Sequence, residues 1–178
     1  AEMLYLGWRA KKGNSLQSDT LSIISDLLSN GRAGLYDLNL NQKMKVQSAG
    51  AGFEDLHDYS MFIALGMPKK GQTLQEVRDL LLSEIDKLKK GEFSDDLLPS
   101  VINNYKRRYY KSLDKNQFRA KSFVDAFIND VDWKQVTGKL DRISKISKAD
   151  IVSFANRFFD NGYAAIYKVQ GTDTTIQK

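Results

Sequence analysis

The residues suited to chemistry are few. One histidine, His57, and no cysteine occur in 178 residues. A structural zinc site takes about four Cys or His ligands, and a catalytic one takes two or three His with a carboxylate. His57 alone builds neither. Thiol nucleophiles, disulfides, iron–sulfur clusters and haem–thiolate centres are excluded for want of Cys. A Ser-His-Asp triad would have to recruit His57, and no serine sits in a G-x-S-x-G turn. Neither G-x-G-x-x-G nor G-x-x-x-x-G-K-[ST] occurs, so no phosphate loop is spelled out. By its own side chains the chain is poorly equipped for catalysis.

The remaining candidates have ordinary structural readings. His57 falls between Asp55 and Asp58 in a polar turn and reads as a solvated side chain. Asp95 and Asp96 open a helix, where negative charge suits the macrodipole, and they form no acid/base dyad. Trp8 and Trp133 read as packing residues, because aromatics dominate buried area. The net charge is +5, from 27 basic and 22 acidic residues, and the excess lies past Lys90. Its densest piece is Lys106, Arg107, Arg108, Lys111, Lys115, Arg119 and Lys121, opposed only by Asp114. A solvated helix face is the expected reading, although a cationic stripe also attracts polyanions non-specifically. Tyr105 and Tyr109, set among these basic residues, share one helical face with each other and are expected to pack inward rather than stack on bases.

Hydrophobic residues at 42%, charged residues at 28% and only 2 prolines describe a packed globular chain. No apolar run approaches the roughly 18 residues of a membrane helix, so no membrane span is expected. The opening AEMLYLGWRAKKG lacks a basic leader followed by an apolar core, so no signal peptide is expected in it. The lack of Cys is compatible with cytoplasm and periplasm alike.

Met3 to Ala10 reads as a strand closed by Lys11-Lys12-Gly13. Asn14 or Ser15 then caps a helix carrying Leu16, Leu21, Ile24, Leu27 and Leu28, and Asn30-Gly31 stops it. Leu35, Leu38 and Leu40 fit a short helical turn, and Met44 to Glu54 alternates as a strand. Tyr59 to Met67 is the clearest strand, joined to the previous one as a hairpin. Thr73-Leu74-Gln75-Glu76 is a capping box, opening a helix with Leu74, Val77, Leu81, Ile85 and Leu88 on one face. Helices follow from Ser94, around Phe118 to Ile128, and from a second capping box at Ser147 to Asp150. Tyr163 to Val169 is the last strand, and GTDTTIQK reads as a frayed tail. Apart from a helical insertion at about 94–160, the order is βαββαβ, the split arrangement of ferredoxin-like folds. The expectation is an α+β fold over 1–178 as a single domain, with an antiparallel-rich sheet and helices on one face. The core should be alternate positions of 59–67 against Leu81, Ile85 and Leu88.

This order, with Leu27-Leu28-Ser29-Asn30-Gly31, Gly34-Leu35-Tyr36, Leu40-Asn41-Gln42-Lys43 and the Val46 to Phe53 strand, resembles the pitrilysin/insulinase family of zinc metallopeptidases, which includes the mitochondrial processing peptidases. Gln72 to Val77, Leu88-Lys89-Lys90-Gly91 and Ser147 to Ile151 add to the likeness, which covers essentially the whole chain through order and spacing rather than any one motif. The family's catalytic domain carries His-x-x-Glu-His, and no such string occurs here. Its last domain often carries an Arg and a Tyr about seven residues apart that reach the active site; the equivalent positions here are Leu38 and Lys45.

The resemblance therefore implies a non-catalytic, inactive domain of a larger zinc metallopeptidase, a hydrolase acting in proteolysis. Such a domain would help enclose peptide substrate and pack against a catalytic domain in the same polypeptide or a partner subunit. It implies no catalytic residue, metal ligand or cofactor in this chain, with zinc held in the catalytic domain elsewhere. In some relatives the loop after the first helix is Gly-rich and handles substrate, which makes Asn30, Gly31, Arg32 and Gly34 the candidate substrate-binding residues. The alternative is a binding or assembly domain unrelated to proteolysis. A nucleic-acid module is least supported, because Asp58 to Gly66 lacks the alternating aromatics of an RNA-recognition strand.

Overall fold

The computed structural model describes residues 1–11 and 16–171. Strands β1 (Met3–Ala10), β2 (Ser48–Glu54), β3 (Ser60–Met67) and β4 (Ala164–Lys168) form one sheet in the order β2-β3-β1-β4. Every neighbouring pair is antiparallel. Helix α1 (Leu16–Leu28) connects β1 to β2, and α2 (Leu74–Lys90) follows β3. Five helices then precede β4: α3 (Leu97–Leu113), α4 (Asn116–Ile128), α5 (Trp133–Thr137), α6 (Lys139–Ser144) and α7 (Lys148–Phe158). This is the expected α+β arrangement, βαββαβ with helices added before the last strand. The expected cap at Asn14 or Ser15 and the tail after Gly171 lie outside the described residues.

Strand alternation decides which face is covered. In β1, Leu4, Leu6, Trp8 and Ala10 are buried, and in β3 Ser60, Phe62, Ala64 and Gly66 are buried. The register places Leu4 opposite Gly66, Leu6 opposite Ala64 and Trp8 opposite Phe62, so the two sets share the helix-covered face. Helix α2 lays Leu74, Val77, Leu81, Ile85 and Leu88 against it, the stripe its spacing dictates. Gly66 permits that approach: a Cβ there would stand 2.5 Å from Val77 Cγ1 and 3.3 Å from Leu81 Cδ1. The expected core residues Leu81, Ile85 and Leu88 are therefore correctly placed. Tyr59 precedes the strand and is exposed, so the buried set begins at Ser60.

Helix α1 adds Leu21, Ile23, Ile24, Leu27 and Leu28 to the same core, and α3 adds Leu98, Val101 and Ile102. At its end, Trp8 meets Phe62, Phe159 and Tyr163 edge-on or tilted and donates its indole N–H to Asp160 O at 3.2 Å. The polar handle of the buried indole is thus satisfied, as burial of Trp requires. Helix α4 lies outermost and buries none of its residues.

Two local expectations change. The strand expected from Met44 begins at Ser48, because Met44 takes φ +48° in a reversing turn. The ambiguous stretch before it is a π-helical turn, Asp37–Asn41, with Leu40 buried and Leu38 exposed. Asn41 then brackets the outer edge of β2: its amide donates to Ala49 O at 2.9 Å and accepts from Ala49 N–H at 2.7 Å. Trp133 packs as read, but outside the main core: it stacks on Phe123 at 4.2 Å on the surface of the added helices.

Replacing Leu81 by Ala is expected to cost about 2–5 kcal/mol in denaturant unfolding, the range for buried aliphatics; a loss below about 1 kcal/mol would place that face at the surface. Both expected capping boxes are present. The Thr73 backbone N–H and hydroxyl hold the Glu76 carboxyl below its ordinary value. The Ser147 hydroxyl and N–H do the same for Asp150. A carboxyl depressed by folding stabilises the fold above its unfolded value, and the contribution fades as pH falls through the lower folded value. The Glu76→Gln, Asp150→Asn double variant should therefore lose less stability than wild type between neutral pH and about pH 3. An unchanged acid limb would show that these boxes carry none of the pH dependence.

Candidate functional site

The expected substrate loop is built around one buried carboxyl. Asp37, at the start of the π-helical turn, accepts through Oδ2 from the backbone N–H groups of Asn30 at 2.8 Å, Arg32 at 3.2 Å and Gly34 at 3.1 Å. Asn30 Oδ1 accepts from the N–H of Arg32 and of Ala33. Gly31 takes the left-handed position that follows a helix end, at φ +79°. Gly34 is needed for contact: a Cβ would lie 2.4 Å from Leu28 O. The backbone donors of Asn30, Arg32 and Gly34 are thus turned inward, and the outward offer is the exposed side chain of Arg32. With Asp26, Asn104, Arg107 and Arg108 of α1 and α3, the loop lines a polar pocket of about 340 Å³.

A second feature lies across the sheet. The residues of β1 and β3 that alternate with the core, Tyr5, Gly7, Met61 and Ile63, face away from the helices. Ala164 and Ile166 of β4 stand opposite Gly7 and Tyr5 and share this open face. Together with Leu56 and Tyr59 they line an apolar hollow of about 460 Å³. Arg9 closes one end, its guanidinium 3.5 Å above the Tyr59 ring. The hollow shares no lining residue with the loop pocket. The sequence signal for it was present: β1 and β3 are apolar on both alternating faces, whereas a half-solvated strand pairs apolar with polar.

The titratable groups of the interior have structural partners. Tyr36 is fully buried and donates to Leu81 O at 3.3 Å, and its phenol is pushed up by burial and then by the Glu84 charge. Glu84, also buried, accepts from Asn39 and from Lys87, each at 2.7 Å. Asp55 Oδ1 accepts from the buried hydroxyls of Ser18 and Ser60, each at 3.1 Å, tying α1 to β3. His57 is exposed beside Asp58, at 2.9 Å. Among the described residues no group of three or more His, Cys, Asp or Glu is placed to hold a metal ion. The described residues do not fit a zinc site.

The basic stripe is a surface feature with local partners. Arg108 pairs with Asp26, Lys121 with Asp125 at 2.7 Å, and Arg107 bonds Asn104 at 3.1 Å. Tyr109 packs against Phe118 and Tyr105 against the core, both half-buried, while Tyr110 is exposed. No helix of the described residues is long and apolar enough to cross a membrane.

Residues 1–105 match the family described as the peptidase M16 inactive domain. The match covers more than half of the chain, and the chain belongs to that family. Among curated proteins it is similar to the zinc protease PqqE of Helicobacter pylori, 26% identical over 162 residues, which cover 89% of this chain and 36% of that protein. Among solved structures it is similar to a protease from Helicobacter pylori, with a TM-score of 0.86 and 20% identity over 93% of this chain and 40% of that one. The inactive peptidase domain of a candidate zinc protease from Bordetella parapertussis superposes with a TM-score of 0.84 and 12% identity, over 97% of this chain and 94% of that one. These structures share the fold. The chain spans about 36–40% of the length of the Helicobacter proteins it matches.

The loop geometry makes a prediction. Asp37→Ala leaves three inward N–H groups without their acceptor and should cost roughly 1.5–3 kcal/mol, whereas Arg32→Ala should be nearly neutral. Equal effects in thermal or denaturant unfolding would contradict the anchoring role given to Asp37.

Proposed function

We propose that this chain is a non-catalytic wall of a larger zinc metallopeptidase. In this reading it packs against a catalytic domain, in the same polypeptide or a partner subunit, and helps enclose peptide substrate. The zinc is held by that catalytic domain. The observation that carries the reading is the open sheet face: a sheet apolar on both sides has helices on only one, leaving a hollow sized for the side chains of an extended peptide. Family membership, and the absence of any motif for chemistry in the sequence, support the same assignment.

The added helices offer the surface for a neighbour. On α4, Phe123 is 58% and Phe127 89% exposed, with Val124, Ile128 and the Phe123–Trp133 stack beside them. Such a contiguous apolar patch marks an interface, here the contact with the catalytic domain. Phe118, by contrast, turns inward against Tyr109. The loop of Asn30, Gly31, Arg32 and Gly34 supplies a further contact with substrate through the Arg32 side chain.

Mixing this chain with the catalytic domain should restore cleavage of an unstructured peptide that neither piece shows alone. Ile63→Asp, which places a charge in the hollow, should raise KM with little change in association of the two pieces. Phe127→Asp should weaken association instead. Full-rate cleavage by the catalytic domain alone would refute an obligatory role. Ile63→Asp without effect on KM would remove the sheet face from substrate contact.

A further inference from the structure

Further space lies beyond the Arg9–Tyr59 stack that closes the apolar hollow. Trp8, Arg9 and Tyr59 also line a second cleft of about 450 Å³ around the end of the sheet. That cleft in turn shares Gln17 and Arg157 with a third, of about 490 Å³, between α1, α6 and α7. The three adjoin through these shared wall residues and make a segmented channel, from the open sheet face round to the helix side. Its character changes along the way, from apolar at Ile63 and Ile166 to cationic at Lys11, Lys145 and Arg157.

The charge balance of the far end is informative. The two clefts beyond Arg9 are lined by five cations, Arg9, Lys11, Arg142, Lys145 and Arg157, against three carboxylates, Asp19, Asp150 and Asp160. Asp19 is buried and paired with Arg142 at 2.7 Å and Lys139 at 3.7 Å. Asp150 caps α7 through Ser147, and Asp160 accepts from Gly162 N–H at 2.9 Å. Lys11, Lys145 and Arg157, by contrast, have no carboxylate within ion-pair distance among the described residues. Arg157 stands at the junction of the two clefts, where a planar guanidinium can take a carboxylate through two parallel N–H bonds.

The geometry points to an anion-binding anchor in this channel, centred on Arg157 with Lys145 and Lys11, that takes the carboxylates of an acidic segment in the bound peptide. This deepens the wall-domain reading and rests on it: the apolar part of a peptide lies on the sheet face, and an adjoining acidic part runs past Arg9 to Arg157. The substrate class is then an extended peptide with an apolar stretch next to Asp or Glu residues.

The test uses this chain with three probes: a tetraglutamate peptide, a tetraglutamine peptide, and an apolar peptide with or without a glutamate tail. Tetraglutamate should give saturable amide NMR shifts around Gln17, Lys145 and Arg157 that shrink as salt rises, and tetraglutamine should not. The glutamate tail should tighten binding of the apolar peptide at least tenfold at low salt. Arg157→Gln should remove most of that gain while leaving the untailed peptide unaffected. Lys145→Gln should remove part of it, and serves as the second variant should the first misfold. No saturable shift, shifts confined to Arg107 and Lys111 on α3, or an undiminished tail effect in both variants would overturn the anchor. If the untailed peptide binds but tetraglutamate does not, the anchor falls and the wall reading stands. If only tetraglutamate binds, the sheet-face reading falls, and with it the placing of the anchor beside a bound apolar stretch.

Discussion

The structure turns on a sheet that is apolar on both faces and covered on one. Leu4, Leu6, Trp8 and Phe62 need the helices, and they get them because Gly66 lets α2 settle directly onto β3. Burying that face supplies the main drive to fold, since stabilisation scales with apolar area removed from water. The opposite face follows from the same two strands. Tyr5, Gly7, Met61 and Ile63 occupy the alternate positions, so their exposure is imposed by the pleat once the core side is fixed. Leaving such a face open costs solubility and invites association.

The two sheet edges are treated differently. At β2 the outward groups of Ala49 are taken by the Asn41 amide, and Ala51 O accepts from the Ser25 hydroxyl at 3.2 Å. The π-helical turn that presents Asn41 begins with Asp37, whose carboxyl also gathers the 30–34 loop. One short segment therefore terminates α1, shapes the loop and closes the β2 edge.

Much of this was legible in the sequence, for identifiable reasons. Both capping boxes, the α2 stripe and the β3 alternation are local patterns, and local patterns survive into the fold. The family likeness was legible because it rests on the order of such patterns. The loop glycines were readable as a helix end plus a turn, but their anchor was not: a buried Asp37 three residues past Gly34 looks in sequence like any helix-initiating acid. The channel to Arg157 was invisible for a different reason. It joins β1, α1, α6 and α7, segments up to about 150 residues apart, and no spacing rule connects them. The short helices α5 and α6 were not read in sequence, because 5 and 6 residues are too few to display a helical period.

The central claim is that the open sheet face touches peptide. Photo-cross-linking maps it directly: an extended apolar peptide carrying one photoreactive side chain is irradiated with this chain, and the adducts are located by mass spectrometry. The account predicts adducts concentrated on Tyr5, Met61, Ile63 and Ile166, competed away by unlabelled peptide. Adducts confined to Phe123 and Phe127 on α4, or spread without competition over the whole surface, would contradict it.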